Sequence, residues 1–297
     1  MLFNSRLLVS SYIHRECFST LTSILRQFSS CSDTTIKISH VVDAPSIRLI
    51  GINRPKKRNC VNHSTALQLF SAFQNFENDS TAHLAILYGE GGSSFCAGYD
   101  LSEVAAANIP LTMKYNKNEP GPMGPSRMSL KKPLIAAIAG PCVAGGLELS
   151  LLADMRVGEK SSKYGVLCRR FGVPLIDGGT VRLPRLIGLS RALDLILTGR
   201  TVDAQEAFHV GLINRLVPDG QCLSEAIQLA KDILRFPYEC MNTDRLSAHF
   251  AVSNTVDDSL KREYEYGREL IERESISGAK HFIVQKQGRG GKYDDIK

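Results

Sequence analysis

The sequence contains no tryptophan, and aromatic residues make up only 7% of it. Proteins that bind single-stranded nucleic acid commonly stack bases on aromatic side chains, so this composition argues against such a surface. No uninterrupted apolar run approaches the roughly 20 residues that a membrane-spanning helix requires. We therefore predict neither a nucleic-acid partner nor a membrane partner.

The cysteines lack the spacing of a metal site, because no two of them form a C-x-x-C pair. Disulfide scaffolds are typical of much shorter secreted chains, and zinc sites use closely spaced ligand pairs. We predict reduced thiols, an intracellular compartment and no metal. The eight cysteines are Cys17, Cys31, Cys60, Cys96, Cys142, Cys168, Cys222 and Cys240.

The charge balance is mildly positive, with a formal net charge of +6. The first 28 residues contribute +2, from three arginines and one glutamate, which leaves about +4 for the rest of the chain. This balance suits a polyanionic ligand such as a nucleotide, but it is too weak to indicate DNA or RNA binding. With 43% hydrophobic residues, the 297-residue chain can form one large domain.

The N-terminal segment differs in composition from the rest. It is rich in arginine, serine and threonine and has a single acidic residue, which is typical of mitochondrial transit peptides. The sequence RQFS, residues 26–29, resembles a matrix-protease site with cleavage after Phe28. We predict that residues 1–28 are a transit peptide for the mitochondrial matrix; a disordered extension is the alternative.

Beyond the leader, short apolar runs alternate with helical patterns, which predicts an α/β fold. The segment 109–125 is rich in proline and glycine and is expected to be a long loop, often a functional one. Strands are predicted at residues 36–42, 47–52, 84–88, 134–139, 155–158 and 212–217. Helices are predicted at 64–76, from 147, and at 190–197, 203–210, 223–234 and 256–274.

One glycine-rich motif leads directly into an apolar helix. In Gly145-Gly146-Leu147-Glu148, the glycines let a ligand approach the N–H groups at the helix N-terminus. Such N–H groups can stabilise a developing oxyanion. Glu148 falls in the first helical turn, where a carboxylate is either an exposed acid that favours the helix dipole or a buried functional group. The motif alone does not decide between the two.

Two further segments have ordinary structural explanations when taken alone. The turn before Tyr99 could supply a second N–H donor, or it could be a tight turn with Asp100 as a helix N-cap. Asp177 precedes Gly178-Gly179, and an aspartate in that position usually forms a turn.

Taken together, these motifs resemble the enoyl-CoA hydratase/isomerase (crotonase) family, over about residues 36–290. The resemblance implies a spiral of ββα units at residues 36–220 and a helical C-terminal trimerisation region at 221–297, assembled as a homotrimer or a dimer of trimers. The motifs, in family order, are Asn53-Arg54-Pro55 with Arg58-Asn59, Phe95-Cys96-Ala97-Gly98, Gly145-Gly146-Leu147-Glu148-Leu149, Gly178-Gly179-Thr180 with Arg182-Leu183-Pro184, Leu197-Thr198-Gly199-Arg200 and Gly211-Leu212-Ile213-Asn214.

The family resemblance also implies a substrate and a binding mode. Members act on acyl-CoA thioesters and need no cofactor apart from the CoA of the substrate. Two backbone N–H groups hold the thioester oxygen, and the motifs place them at Tyr99 and Gly145. The side chain of Tyr99 is bulkier than the alanine common in hydratases and is expected to shape the acyl pocket. The residues expected near CoA are Lys56, Lys57, Arg58, Cys96 and Ala97.

The sequence departs from the family at the second catalytic position. Hydratases of the family use two glutamates; Glu148 matches the first, but Cys168 occupies the place of the second. A thiol of ordinary pKa is a weak base near neutral pH. Asp177 aligns with a catalytic aspartate of dienoyl-CoA isomerases, so we hypothesise that Glu148 and Asp177 form the acid/base pair.

Four functions follow from these residues. The leading prediction is hydration of a 2-enoyl-CoA to a 3-hydroxyacyl-CoA in fatty-acid or amino-acid degradation. Isomerisation of an enoyl- or dienoyl-CoA requires the same oxyanion hole and a carboxylate. A catalytically silent acyl-CoA binder would explain the missing glutamate, but not the retained Glu148 and glycine motifs. An RNA-binding role, known for some relatives, is disfavoured by the modest charge.

Overall fold

A computed structural model describes residues 34–106, 116 and 118–285. The predicted transit peptide and residues 109–115 and 117 of the predicted loop lie outside this part. The strands are β1 (Ile36–Val41), β2 (Ala44–Ile52), β3 (Leu84–Gly89), β4 (Leu134–Ile138), β5 (Pro141–Val143), β6 (Met155–Glu159), β7 (Lys163–Gly165), β8 (Val202–Asp203) and β9 (Arg215–Val217). The helices are α1 (His63–Asn78), α2 (Leu101–Ala105), α3 (Gly145–Ser150), α4 (Gly179–Ile187), α5 (Leu189–Thr198), α6 (Ala204–His209), α7 (Cys222–Ile233), α8 (Tyr238–Ala251), α9 (Val256–Leu270) and α10 (Ile276–Gln285).

The larger sheet has the strand order β1-β2-β3-β4-β6-β9. Strands β1 and β2 pair antiparallel, and each following pair is parallel. Parallel strands covered on both faces are apolar along their length, which explains why β3 and β4 are almost wholly buried.

Alternate residues of the sheet pack on opposite faces, as the two-residue period of a strand requires. Leu87 belongs to a core cluster with Phe73 and Phe76 of α1. Its neighbour Ile86 belongs to a second cluster with Ala226 and Ala230 of α7. The first cluster extends to α3, so the same packing that stabilises the sheet also fixes the start of that helix.

The smaller sheet corrects one sequence prediction. The predicted strands do not include residues 141–143, but these residues form β5, which pairs with β7 in a sheet of order β5-β7-β8. A strand of three residues is too short to give a recognisable alternation. Its effect is to hold the chain that enters α3 in one register.

Helices α4, α8 and α10 were not predicted. Helix α4 starts after two glycines and contains Pro184, and both features indicate a turn when only sequence is read. Helix α8 has a weak apolar pattern and no fully buried side chain. The predicted helix 256–274 is α9 followed by a π-helical turn, Ile271–Ser275. Short 3-10 turns lie at Pro55–Lys57, Pro125–Arg127 and Leu167–Phe171.

None of the helices in the described ranges has both the length and the apolar character needed to cross a membrane. The domain boundary at residues 220 and 221 stays a prediction.

Candidate active site

Glu148 lies in the interior, on the first turn of α3, with only 3% of its surface exposed. Its Oε1 atom accepts hydrogen bonds from the N–H groups of Asp177 (3.0 Å) and Gly179 (2.9 Å). A Cβ atom on Gly179 would lie 2.9 Å from Glu148 Cγ and Oε1, so glycine is needed there. Oε2 accepts no hydrogen bond from the described residues and remains for a ligand. The buried functional interpretation of Glu148 therefore fits the structure, and the exposed one is wrong.

Asp177 is equally buried, and one of its carboxylate oxygens is also held in place. Oδ1 accepts hydrogen bonds from the Met123 N–H (3.1 Å) and the Ser126 hydroxyl. Oδ2 has no donor among the described residues. The Asp177 side chain thus does more than form the turn that its sequence context suggested.

Burial raises the pKa of both carboxyl groups. The pKa of Glu148 rises to about 7, mainly because burial disfavours the charged form and secondly because Asp177 is negative. Burial raises the pKa of Asp177 too, while the Ser126 hydroxyl and the Met123 N–H oppose that increase. A carboxyl that titrates near neutrality can both accept and donate a proton at working pH.

This shift predicts how stability depends on pH. Because folding raises the Glu148 pKa from 4.5 to about 7, the folded state retains a proton that the unfolded state has lost in this window. The stability that Glu148 contributes is complete below pH 4.5 and is lost as pH rises through about 7.

We therefore expect the wild-type free energy of unfolding to fall between pH 5 and 8 by about 3 kcal/mol more than that of Glu148→Gln. Urea unfolding of both proteins at the two pH values measures this difference. Parallel pH dependences would contradict the buried, protonated state of Glu148.

The two predicted oxyanion donors lie on neighbouring loops. A Cβ atom on Gly98 would lie 3.1 Å from Gly145 N and 3.0 Å from Ala144 Cβ, so the turn before Tyr99 contacts the start of α3. Ala144 adopts a positive φ of 53°, which turns the chain sharply into the helix. Among the described residues, no acceptor pairs with the N–H of Tyr99 or Gly145. Both N–H groups therefore lie on segments that contact each other, and neither has an acceptor among the described residues.

Cys168, in the place of the family's second glutamate, lies near Glu148. Burial raises the pKa of its thiol, and the negative charge of Glu148 raises it further. The thiol is consequently neutral at working pH and cannot replace a carboxylate base.

The Tyr99 side chain extends from the loop of residues 90–100, here called the oxyanion loop, and is fixed at its far end. Its hydroxyl donates to Glu103 Oε2 (2.8 Å), which also accepts the N–H of His63 (2.9 Å). The ring packs against the main core cluster, and the charge of Asp177 acts on the hydroxyl. The ring is therefore held beside the oxyanion loop, and its hydroxyl is within range of the Asp177 charge.

The predicted CoA residues are only partly suited to that role. Lys56, Lys57 and Arg58 are exposed on one 3-10 turn and its end, where a polyanion can reach them. Cys96 is completely buried, its N–H donates to Pro141 and its carbonyl accepts from Val143. Both backbone groups of Cys96 are therefore engaged within the protein, and its contact with CoA stays a prediction.

Ala97 remains partly exposed, although its N–H donates to the Arg58 carbonyl. Of the groups of Ala97, the carbonyl and the methyl side chain therefore remain for the predicted contact with CoA. The pairing also links the 3-10 turn to the oxyanion loop.

Sequence reasoning missed three residues that organise the site. Asn59 is buried and donates to the carbonyls of Ser94 (2.7 Å) and Glu90 (3.0 Å), which ties the 3-10 turn to the oxyanion loop. Its place in a family motif was the available signal. Met123 and Ser126 hold Asp177. Their only signal in the sequence was position, since Met123 lies within the predicted loop 109–125 and Ser126 directly follows it. No cluster of three or more potential metal ligands occurs within the described residues.

A family profile described as enoyl-CoA hydratase/isomerase matches residues 43–287. The chain is 39% identical over 192 residues to the enoyl-CoA hydratase EchA19 of Mycobacterium tuberculosis. The matched region covers 62% of this chain and 70% of that protein. It is 28% identical over 246 residues to the crotonyl-CoA hydratase of Syntrophomonas wolfei, covering 81% and 93% of the two chains.

Solved structures agree with this assignment. An enoyl-CoA hydratase from Mycobacterium tuberculosis H37Rv superposes with a TM-score of 0.77 at 30% identity, covering 85% of this chain and 97% of that chain. Enoyl-CoA hydratase EchA1 from Mycobacterium marinum gives a TM-score of 0.77 at 28% identity, with the same coverage. These matches confirm the predicted crotonase-like fold with a helical C-terminal region. The chain belongs to the enoyl-CoA hydratase/isomerase family.

Proposed function

We propose that this enzyme adds water to a 2-enoyl-CoA and forms a 3-hydroxyacyl-CoA. The observation that carries the proposal is the arrangement of Glu148 and Asp177. Each buried carboxyl has one oxygen fixed by hydrogen bonds and the other without a described donor. The N–H groups of Tyr99 and Gly145, on adjoining segments, have no acceptor among the described residues.

The chemistry follows from where charge develops. Water adds to the β-carbon of the conjugated thioester, and the electrons of the double bond move onto the thioester oxygen. The N–H groups of Tyr99 and Gly145 stabilise that negative charge; one such donor contributes about 3 to 4 kcal/mol in a comparable hole.

The two carboxyl groups complete the addition. The ionised member of the pair takes a proton from the attacking water, and the protonated member delivers a proton to the α-carbon. One water is consumed, and the pair holds one proton after the reaction as it did before. Because burial and mutual repulsion keep one proton on the pair near neutrality, the enzyme enters each cycle in the required state.

Hydration is favoured over isomerisation by the relatives, whose names include enoyl-CoA hydratase and crotonyl-CoA hydratase. An isomerase can work with one carboxyl that removes and returns a proton, whereas hydration uses two. The buried pair by itself fits both reactions, because Asp177 also aligns with a catalytic aspartate of dienoyl-CoA isomerases, so the preference for hydration rests on the relatives.

Turnover of crotonyl-CoA by the full chain tests the proposal, followed as the loss of the conjugated-enoyl absorbance. We expect saturable loss of the absorbance and formation of 3-hydroxybutyryl-CoA. A folded chain that binds CoA but leaves crotonyl-CoA and longer 2-enoyl-CoA substrates unchanged would identify a silent binder.

Tyr99 is proposed to limit the acyl group. Replacement by alanine keeps the backbone N–H but removes a ring that Glu103 holds in place. We expect Tyr99→Ala to raise kcat/KM for long relative to short 2-enoyl-CoA substrates by roughly tenfold or more, given the effect of single methylenes in apolar pockets. Tyr99→Phe keeps the ring and should retain the wild-type ratio; equal ratios in all three proteins would contradict this role.

CoA is proposed to bind through the cations of Lys56, Lys57 and Arg58 and the backbone of Ala97, with no cofactor beyond the CoA of the substrate.

A homotrimer or dimer of trimers is proposed because the C-terminal helices expose many apolar side chains. Light scattering after size-exclusion chromatography tests it, since a 32.6 kDa particle would contradict it. The exposed residues include Val252, Val256, Leu260, Tyr264, Ile271, Ile276 and Ile283.

The mitochondrial matrix is proposed as the location, on the composition of residues 1–28. A fluorescent protein fused behind this segment should enter mitochondria and lose the segment. The same fusion with Arg6, Arg15 and Arg26 changed to glutamine should remain outside. Cytosolic fluorescence from both fusions would contradict import.

A further inference from the structure

Residues 121–126 form a turn, here called the 121–126 turn, that contacts both halves of the active site. The N–H groups of Gly121 and Gly124 each donate to the carbonyl of the other at 2.8 Å. Gly124 has a positive φ of 76°, and a Cβ atom there would lie 2.7 Å from the Ala66 carbonyl oxygen of α1. The turn is therefore closed on itself and seated on a core helix.

One side of the turn supplies the donors described for the Asp177 carboxylate. Ser126 is 1% exposed, and its hydroxyl bonds Oδ1 together with the Met123 N–H. A Cβ atom on Gly121 would lie 2.7 Å from Ser126 Oγ and 2.8 Å from Asp177 Oδ1. The contact is so close that only glycine at position 121 leaves room for it.

The other side of the turn packs on the oxyanion donor. Met123 is completely buried, and its sulfur lies 2.7 Å from where a Cβ atom on Gly145 would be. The same residue thus donates its N–H to Asp177 and packs its side chain against Gly145. Gly145 and Asp177 are 32 positions apart in sequence, and this turn connects them in space.

We infer that Ser126 is a positioning residue, which together with Met123 holds the Asp177 carboxylate in register with the oxyanion donor Gly145 and favours its ionised form. This inference rests on the proposed role of Asp177. With Oδ1 occupied by two donors, Oδ2 is left to face water or substrate. A hydrogen bond donated to a carboxylate stabilises the charge. Ser126 therefore acts together with the positive charges of Arg127 and Arg182, and against burial, in setting the pH at which Asp177 ionises beside Glu148.

The test is the pH profile of kcat for crotonyl-CoA in Ser126→Ala. Loss of a hydrogen bond to a charged group should lower kcat roughly 10- to 100-fold. It makes deprotonation of Asp177 harder, so the acid limb of the profile should move to higher pH. Binding through CoA is remote from the change, so KM should stay within about twofold.

Two control variants separate positioning from general destabilisation. Ser126→Thr keeps a hydroxyl and should return the acid limb to its wild-type pH. Ser162→Ala removes another fully buried serine, which donates to the Ile138 carbonyl and takes no part in the site. It should lower the unfolding temperature without moving the pH profile. If Ser126→Ala does not fold, Ser126→Cys, with a weaker donor, should give a smaller shift in the same direction.

The failures of the two proposals are distinguishable. If Asp177→Asn is inactive while Ser126→Ala keeps the wild-type kcat and pH profile, the positioning role is overturned and the proposed function stands. If Asp177→Asn keeps full activity, the role of Asp177 fails, and the inference about Ser126 fails with it.

Discussion

Exchange of Glu148 for glutamine is expected to lower kcat for crotonyl-CoA by about two to four orders of magnitude, the usual contribution of a positioned acid or base. Glutamine has nearly the same shape, and its carbonyl oxygen can accept the hydrogen bonds from Asp177 and Gly179 that Oε1 accepts now. The fold and the binding of CoA should therefore survive, and KM should change little.

Glu159 offers a matched control. It is also a buried glutamate, 4% exposed, and it accepts the Cys222 N–H of α7, which contributes no residue to the proposed site. Glu159→Gln should keep wild-type turnover even if its stability changes. Comparable losses of kcat in both variants would mean that Glu148 acts through the fold and not through the reaction.

Asp177→Asn is expected to cause a loss of similar size, whereas Cys168→Ala should leave turnover nearly unchanged. The asparagine keeps an acceptor for Ser126 and Met123 but can neither take nor give a proton at working pH. The Cys168 thiol is held neutral by burial and by the charge of Glu148, so its removal costs packing and not acid/base chemistry. Steady-state kinetics of both variants measures the difference.

The pair should also behave as a unit. The double variant Glu148→Gln with Asp177→Asn should be little worse than either single variant, because groups that act together are strongly non-additive. If Cys168→Ala instead abolished turnover and Asp177→Asn did not, the thiol would be the second catalytic group and the proposed pairing would be wrong.

The family motifs allowed much of the site to be predicted from sequence. Gly145, Glu148 and Tyr99 lie on short segments whose glycines are required by close contacts, such as that between Gly98 and the N–H of Gly145. A pattern of this kind is local, so it can be read without a structure. Asp177 was also predicted as a site residue from its family motif, but its hydrogen-bond partners Ser126 and Met123 were not.

The rest depended on contacts between distant segments. Ser126 meets Asp177 across 51 positions and Met123 across 54, and neither residue type is unusual in a proline- and glycine-rich loop. The burial of Cys96 follows from its pairing with Pro141 and Val143, at the edge of a three-residue strand that has no readable period. Helix α4 begins at glycines that suggested a turn, because tertiary packing overrides local preference.

Hydration is tested most directly by the fate of the oxygen of water. The full chain is incubated with crotonyl-CoA in oxygen-18-labelled water, alongside Glu148→Gln, and the acyl-CoA products are analysed by mass spectrometry. We predict a 3-hydroxybutyryl-CoA that carries one labelled oxygen, formed by the wild type and nearly absent with the variant. A double-bond isomer without label would contradict hydration, and so would folded, CoA-binding protein that leaves both crotonyl-CoA and longer 2-enoyl-CoA substrates unchanged.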